Sequence, residues 1–220
     1  TTEKRTESVQ DVSQAVTAIT SSEIEAKNIN SMVDLSAIVP GVTVAKNEGY
    51  KTVISIRGIG NETNQNAIAA PSVAFHLDGV FIASPFSLLT DFVNIDRIEV
   101  IRGPQGTLFG QNSTAGAINV VTSAPSLDEE SSVLKMSLGN YNMKKITTSF
   151  NVSISDSVAT SFSFSGHKRD GYALNKTLQQ ELDDANDFSI RNDWYFQLSD
   201  TSSLRFFGQY YDMDLSLIHI

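Results

Sequence analysis

The strongest constraint on the fold of this 220-residue chain is the alternation of polar and apolar residues in its second half. Apolar side chains recur there at every second position, which is the period of a β-strand. The alternating stretches are 133–139, 145–155, 158–167, 188–199 and 204–211. In the second of them, Ile146, Phe150 and Val152 share one face, and Ser149 and Asn151 lie on the other. The pattern predicts about five amphipathic antiparallel strands.

The connections between these strands distinguish two interpretations. A soluble antiparallel sheet buries its apolar face on a core and exposes its polar face to water. A transmembrane barrel instead has short turns at one end and longer loops at the other. Here the turns at 155–157 and 199–202 are short, and the connection at 167–187 is long and polar. This favours a barrel, although the short segment 138–142 lies at the end where long loops are expected.

The first half of the chain is irregular and predicts a small α+β domain. Ser22 is a candidate cap for a helix from Glu23, and Ser31 for a helix that ends before Pro40. Asp78 and Gly79 form a tight-hairpin signal. The polar loop 58–71 is expected to be exposed. Short β-like runs lie at 53–57, 73–77, 80–83, 97–102 and 116–122.

Composition argues against several classes of function. The chain has no cysteine, which excludes thiolate metal sites and disulfides. Its net charge of -9 argues against nucleic-acid binding. The three histidines, His76, His167 and His219, lack metal-ligand spacing, and no G-x-S-x-G nucleophile motif occurs. We therefore predict that the protein is not an enzyme and needs no cofactor or metal.

The glycine-rich segment after residue 102 does not match a nucleotide site. A P-loop requires a lysine that this segment lacks, and Thr63 occupies the third glycine position of a dinucleotide fingerprint begun by Gly58 and Gly60. The pattern instead predicts a compact chain reversal. Pro104 fixes one backbone angle, and Gly103 and Gly106 permit positive φ.

The segment 94–122, NIDRIEVIRGPQGTLFGQNSTAGAINVVT, resembles the signature of the plug domain of TonB-dependent outer-membrane receptors. Segments 4–20, 54–60 and 73–82 agree with the same family in the same order. Gln111 and Ala115 depart from it, and Ala115 implies a backbone that avoids positive φ or accepts strain. The resemblance implies that the following residues form the plug's structural motif: Arg57, Gly58, Asp78, Gly79, Arg97, Glu99, Arg102, Gly103, Pro104, Gly106, Gly110, Asn112, Gly116 and Asn119.

The resemblance also implies the architecture. We expect an α+β plug domain at 1–125, followed at 126–220 by antiparallel strands of a transmembrane β-barrel. About five of the family's 22 strands are present, and five strands cannot close a barrel, so we expect the chain to be a piece of a longer protein. The family's apolar TonB box would end at Thr1, so the TonB-pairing segment is expected to lie before the chain.

The implied function is active uptake across the outer membrane of a Gram-negative bacterium, with the plug reached from the periplasm. The implied partners are TonB with its inner-membrane energising complex, outer-membrane lipid and a scarce small-molecule ligand, of which a ferric siderophore is the commonest in the family. Arg57 and Arg102 are expected to pair with barrel carboxylates. The candidate ligand contacts on the apical plug loops are Asn64, Gln65, Asn66, Ser84 and Phe86.

Three alternatives remain open at this stage. The same receptor class also takes up cobalamin, other metal complexes and glycans. A soluble plug-like binding module with a β-rich domain would bury its apolar strand faces and purify without detergent. A signalling variant would carry a further small domain before the plug.

Overall fold

The computed structural model describes residues 15–47, 51–60, 71–83, 93–177 and 179–214. The chain divides into two compact units, Thr1–Thr122 and Ser123–Ile220. No helix in these described ranges is long and apolar enough to cross a membrane.

The first unit is an α+β domain built on two sheets. Its elements are β1 (Ala15–Thr20), α1 (Ser21–Ala26), a 3-10 helix (Met32–Asp34), α2 (Leu35–Ile38), β2 (Val42–Asn47), β3 (Lys51–Ile56), β4 (Ile59–Gly60), β5 (Val73–Leu77), β6 (Val80–Phe81), β7 (Ile95–Arg102), α3 (Gly106–Phe109) and β8 (Gly116–Thr122). The larger sheet has the order β1-β7-β8-β5-β6, and the smaller has the order β2-β3-β4. Only β5 and β8 pair in parallel among these described strands.

The core of this unit lies on one face of the larger sheet. Alternate positions of β7 and β8 point to that face, which places Ile98, Val100, Ile118 and Val120 in the interior with no exposed surface. The helical segment 32–38 covers them with further buried side chains. The opposite face buries a smaller cluster centred on Ala74, Ile101 and Ala117.

The helix predictions are partly confirmed. Helix α1 begins two residues earlier than expected, at Ser21, and Thr20 caps it, so the prediction of Ser22 as the cap was wrong. The Thr20 hydroxyl accepts the Glu23 N–H at 3.4 Å, and the Glu23 carboxylate accepts the Thr20 N–H at 3.0 Å. The hydrogen bond from the Thr20 backbone lowers the pKa of Glu23 below its ordinary value. Ser31 is the N-cap residue of the 3-10 helix, as predicted.

The β-like runs of the first half all contain strands, but three strands were not predicted. These are β1, β2 and β4, and β4 lies within the segment expected to be a loop. Strand β1 pairs with β7, about 80 residues away in the sequence. Because the strand depends on this distant partner, the residues around β1 give little indication of it.

The second unit is a five-stranded antiparallel sheet. Its elements are β9 (Ser131–Gly139), β10 (Met143–Ser155), β11 (Val158–Arg169), β12 (Ala173–Asn175), β13 (Gln180–Leu182), β14 (Ala185–Ser199) and β15 (Ser202–Asp214). The sheet order is β15-β14-β11-β10-β9, and β12 and β13 form a separate hairpin in the connection before β14. The sheet is open in the described part of the chain, since β9 and β15 are both edge strands.

The two faces of this sheet have the reverse of soluble patterning. Polar side chains are buried on one face, including Ser161, Ser163 and Asp193, of which Asp193 is only 1% exposed. Apolar side chains are exposed on the other, with Met136 at 70% and Phe206 at 67%. A soluble sheet exposes its polar face and buries its apolar face, so this arrangement matches the predicted barrel strands and differs from the patterning expected of the soluble alternative.

Candidate functional site

The glycine-rich segment after β7 is closed by its own backbone. The Gly103 N–H donates to the Ala115 carbonyl at 3.0 Å, and the Gln105 N–H donates to the Ser113 carbonyl at 2.9 Å. The Ser113 hydroxyl donates to the Gly110 carbonyl at 2.6 Å. Backbone donors that a phosphate site would direct at its ligand are therefore used within the loop, and the predicted compact reversal is confirmed.

Backbone angles explain most of the segment's special residues. Gly103, Gly110 and Asn112 have φ of 93°, 74° and 68°, in the left-handed region that glycine and asparagine tolerate best. Pro104 lies directly after the first of them. The prediction of positive φ for Gly106 was wrong, because this residue is the first of α3.

Gly116 is required for a different reason. Its φ is 151°, and a Cβ placed there would lie 2.2 Å from the Ile101 carbonyl oxygen on the paired strand. No side chain fits this approach without a backbone shift. Ala115 is buried and is not among the residues of positive φ, so it avoids the strain rather than accepting it.

The predicted hairpin at Asp78-Gly79 also joins β5 to the end of β8. Both residues have positive φ, 51° and 80°, as a type I′ turn requires. The Asp78 carboxylate accepts the Thr122 N–H at 2.8 Å and the Thr122 hydroxyl at 2.9 Å. Asp78 therefore shapes the turn and holds the last residue of β8.

A buried polar row crosses β7 and β8. Glu99 and Asn119 are register partners and are 2% and 5% exposed. Glu99 accepts hydrogen bonds from Asn119 Nδ2 at 3.0 Å and from Arg97 Nε at 2.8 Å. Burial raises the pKa of Glu99, but hydrogen bonds that include these two outweigh it and leave the pKa below its ordinary value. Burial also opposes the Arg97 charge, yet bonds to Glu99 and Asp96 raise the Arg97 pKa.

The two arginines predicted to pair with barrel carboxylates have local roles in the first unit. Arg102 donates to the Thr17 hydroxyl at 2.9 Å and to the Pro40 carbonyl at 3.2 Å, and so ties β1 to the end of α2. Arg57 has φ of 53°, and its N–H donates to the Gly41 carbonyl at 2.6 Å. Gly58, with φ of 76°, completes that turn. The pairing with barrel carboxylates stays a prediction.

The polar face of the second unit carries a charged cluster, here called the Asp193 cluster, formed by Arg191, Asp193 and Arg205. Arg191 Nη2 lies 3.0 Å and Arg205 Nη2 lies 2.6 Å from Asp193 Oδ2. The Arg191 guanidinium also stacks 4.1 Å from the centre of the Phe207 ring. A buried carboxylate is thus held by two cations, which is the arrangement that makes such a charge tolerable.

The same face holds the segment that precedes β9. Arg205 Nη2 donates to the Ser123 carbonyl at 3.4 Å. The Asn151 side chain forms a reciprocal pair with Ser126, since its Oδ1 accepts the Ser126 N–H at 2.9 Å and its Nδ2 donates to the Ser126 carbonyl at 3.1 Å. Nδ2 also donates to the Glu129 carbonyl. Residues 123–129 are therefore fixed to the sheet at two places.

An aromatic cluster, here called the Tyr141 cluster, lies at the end of the sheet opposite the two-residue turns 156–157 and 200–201. It contains Tyr141 and Tyr172, whose ring centres are 6.1 Å apart, and Arg169, whose Cζ lies 4.9 Å from the Tyr172 ring centre. Both tyrosines are more than half exposed. Tyr141 has φ of 57°, a conformation that a residue of this size rarely adopts.

The described ranges contain no group of three or more His, Asp or Glu side chains that could hold a metal ion. His76 is buried between the rings of Phe81 and Phe109, and His167 Nδ1 lies 3.1 Å from Asp187 Oδ2.

Comparison with known families assigns the first unit. The TonB-dependent receptor plug domain matches residues 8–117, which is half of the chain. The chain belongs to the TonB-dependent receptor family.

Relatives of this receptor chain include proteins named as vitamin B12 transporters and as pesticin receptors. It is 27% identical over 203 residues to the vitamin B12 transporter BtuB of Vibrio vulnificus, a match that covers 84% of this chain and 32% of the relative. It is 27% identical over 173 residues to the pesticin receptor of Yersinia pestis, covering 76% of this chain and 22% of the relative. The receptor chain thus spans less than a third of these relatives.

Solved structures show the same fold. The ferric yersiniabactin uptake receptor FyuA of Yersinia pestis superposes with a TM-score of 0.81 at 19% identity, covering 89% of this chain and 31% of FyuA. The ferripyoverdine receptor of Pseudomonas aeruginosa superposes with a TM-score of 0.76 at 18% identity, covering 96% and 27%.

The receptor's predicted ligand contacts, Asn64, Gln65, Asn66, Ser84 and Phe86, lie outside the described residues. The structure adds two groups that sequence reasoning missed, the Asp193 cluster and the Tyr141 cluster. The Asp193 cluster could have been predicted in part, because Arg191 and Asp193 are opposite charges at alternate positions of one strand. The unusually short segment 138–142 was the signal for the second.

Proposed function

We propose that the protein is an outer-membrane receptor that binds a scarce ligand, a ferric siderophore, and imports it with energy supplied through TonB. The observation that carries this proposal is the reversed patterning of the second unit. A sheet with exposed apolar and buried polar side chains suits a barrel with lipid outside and a polar lumen. A plug-domain family member joined to such a sheet suits gated transport rather than catalysis.

The proposed mechanism needs no covalent chemistry. Ligand binding at the outward side shifts the plug toward a state in which its N-terminal segment is available. TonB then captures that segment by adding a strand to it, and the inner-membrane energising complex supplies the work that opens a path through the plug.

The proposed orientation follows from the lengths of the connections. In outer-membrane barrels the periplasmic turns are short and the outward loops are longer. The two-residue turns 156–157 and 200–201 are assigned to the periplasmic side, and 140–142 and 170–184 to the outside. We assign 1–125 to the plug domain and 126–220 to the barrel, so the plug is reached from the periplasm.

Candidate ligand contacts are proposed for each unit separately. Asn64, Gln65, Asn66, Ser84 and Phe86 are the plug candidates. The Tyr141 cluster is the barrel candidate, because exposed aromatic rings beside a guanidinium suit a ligand with flat, anionic groups. This composition supports a ferric complex of aromatic or carboxylate chelators. Structural likeness to receptors named for ferric yersiniabactin and ferripyoverdine supports the same class.

The second candidate ligand is cobalamin. Sequence similarity to vitamin B12 transporters, including 34% identity over 142 residues with one from Vibrio vulnificus, is the observation in its favour.

The test is uptake by cells that express the whole gene in an outer membrane lacking other such receptors. A panel of 55Fe-labelled siderophores and radiolabelled cyanocobalamin is offered with and without functional TonB. TonB-dependent 55Fe accumulation is expected. Accumulation of cobalamin alone would transfer the proposal to the second candidate, and accumulation of no probe in a correctly inserted receptor would contradict both.

A Tyr141→Ala and Tyr172→Ala double variant is expected to weaken uptake at least fivefold, whereas Tyr195→Phe, on the sheet's polar face, is the matched control.

A further inference from the structure

The boundary between the two units falls between two neighbouring residues that are held by different units. Thr122 ends β8, and its N–H and its hydroxyl donate to the Asp78 carboxylate within the first unit. The carbonyl of the next residue, Ser123, accepts a hydrogen bond from Arg205 within the second unit. A single peptide bond therefore separates the last residue fixed in the plug from the first residue fixed to the barrel sheet.

The segment 123–129, here called the linker, is held most firmly at Ser126. The Asn151 side chain pairs with both backbone groups of this residue, accepting its N–H at 2.9 Å and donating to its carbonyl at 3.1 Å. The Ser126 hydroxyl accepts the N–H groups of Asp128 and Glu129, at 3.3 Å and 3.2 Å, and closes the linker into a tight turn. Asn151 also donates to the Glu129 carbonyl. A pull on the linker would therefore load several hydrogen bonds together.

The side chains that hold the linker are themselves fixed. Asn151 lies inside β10, where its register partners are Ser131 of β9 and Ser161 of β11. Arg205 donates from Nε and Nη2 to the two carboxylate oxygens of Asp193, at 3.0 Å and 2.6 Å. A two-point contact of this kind with a buried carboxylate fixes the orientation of a guanidinium group. The linker is thus attached to side chains that have little freedom to move with it.

These contacts lie at the end of the sheet that has the short turns. Asn151 and Arg205 are within five residues of the turns 156–157 and 200–201. The orientation proposed above assigns this end to the periplasmic side, from which TonB acts. Tension that passes along the chain from the amino terminus reaches the linker directly after the end of β8.

We propose that Asn151 and Arg205 form a clamp that keeps the linker on the sheet while TonB remodels the plug, so that extension of the plug stops at residue 122. The proposal rests on the proposed function, because it takes the plug as the part that is pulled. The clamp gives the plug a fixed end from which to refold. It also keeps tension away from β9, an edge strand of the sheet that directly follows the linker.

The test is a single-molecule pulling experiment on the receptor, expressed from its full gene and held by its barrel in a lipid nanodisc. Force is applied to the amino terminus, and the extension is read at the lowest force that extends the plug completely. The wild type is expected to stop at residue 122. Asn151→Leu keeps the size of the side chain but removes both of its hydrogen-bonding groups. This variant is expected to release the linker and to extend about 25 Å further, at about 3.6 Å per residue.

Two further variants make the result specific. Asn192→Leu is the matched control, because Asn192 donates to Thr160 and Ser161 and makes no hydrogen bond with the linker, so the wild-type end point is expected. Ser126→Pro removes the N–H that Asn151 accepts and leaves every strand unchanged. It is expected to extend as far as Asn151→Leu, and it replaces that variant if the barrel does not fold. Heat-modifiable mobility on gels checks the folding of each barrel.

Three outcomes would overturn the clamp. The first is one end point shared by the wild type, Asn151→Leu and Ser126→Pro, and the second is a wild type that extends past residue 129. The third is an equal gain in Asn192→Leu, which would attribute the release to a general weakening of the sheet. Because the measurement uses neither ligand nor TonB, a receptor that stops at residue 122 but takes up no siderophore would contradict only the proposed function.

Discussion

The two units of this receptor chain place their apolar side chains in opposite environments: the first buries them, and the second exposes them. In the plug unit, Ile98 and Ile118 are fully buried between a sheet and its covering helical segment. In the barrel unit, Met136 and Phe206 are about two-thirds exposed. The buried positions of that unit are occupied by Ser163, Asp193 and other polar residues. The strands of both units alternate in the same way. The difference teaches that the period of a strand predicts its two faces, whereas the surrounding solvent decides which face is buried.

The largest effect is expected from Asp193→Ala. The substitution leaves Arg191 and Arg205 on the polar face without their shared carboxylate, and breaking such a buried pair costs about 3 to 5 kcal/mol. Urea unfolding of the receptor in lipid vesicles measures the loss. Asp200→Ala, in an exposed turn, is the control and should change stability by less than about 0.5 kcal/mol. Equal effects would show that the polar face is not organised by this cluster.

Gly116→Ala should be nearly as damaging, but in the plug unit. The new Cβ would meet the Ile101 carbonyl oxygen at 2.2 Å, so the paired strands must separate, at about 3 to 4 kcal/mol. Gly103→Ala also has positive φ but meets no atom, and should cost about 1 kcal/mol. Hydrogen exchange of the β7 and β8 amides in the intact receptor gives both values. Similar protection in the two variants would mean that φ alone, and not the close approach, constrains Gly116.

Phe206→Arg tests whether lipid surrounds the exposed apolar face. Phe206 pairs with Trp194 near the middle of the apolar stretch of β14, where an arginine in a bilayer costs about 2 to 4 kcal/mol. Leu174→Arg, at a similarly exposed apolar residue of the β12–β13 hairpin, should cost less than about 0.5 kcal/mol. The measurement is the urea midpoint of folding into vesicles. A Phe206→Arg variant as stable as the control would remove the main support for a transmembrane sheet.

Glu99→Gln is expected to cost about 2 kcal/mol at neutral pH, because donors on Arg97 and Asn119 lose a charged acceptor. The pKa of Glu99 is lower folded than unfolded, so its contribution is present above about pH 4.3 and is lost as pH falls through the folded value. Hydrogen exchange of β7 amides between pH 7 and pH 3 should therefore show wild type and variant converging. Glu25→Gln, exposed on α1, is the control, and a constant difference across this range would contradict the assignment.

The smallest expected effect concerns the cap of α1. Thr20→Ala should cost about 1 kcal/mol, because it removes the acceptor for the Glu23 N–H. Ser22→Ala, inside the first turn, should change stability by less than about 0.5 kcal/mol. Local hydrogen exchange of residues 23–26 distinguishes the two. The reverse order would restore Ser22 as the cap.

Local signals were sufficient for elements whose geometry depends on neighbouring residues. The hairpin at Asp78-Gly79 was predictable because its turn type demands positive φ at both residues. The five long strands were predictable from alternation sustained over many residues. The cap of α1 was not, because serine ranks above threonine as a capping residue, whereas the end of β1 places Thr20 at the cap position.

The candidate sites were less predictable than the fold. Arg191 and Asp193 are neighbours on one face of β14 and could be paired from the sequence, but Arg205 joins them only through the β14–β15 register. Likewise, Asn151 is 25 positions from Ser126 and reaches it only when β10 pairs with β9.

The sequence by itself determined the family, the α+β plug followed by amphipathic strands and the closed form of the glycine-rich loop, because these depend on residue type, local backbone angles and short-range periodicity. The tertiary structure decided which strand face is buried, which side chains meet at Asp193, and which side chains hold the segment before β9. Each of these depends on strand register, and register is set by pairing between residues that are distant along the chain.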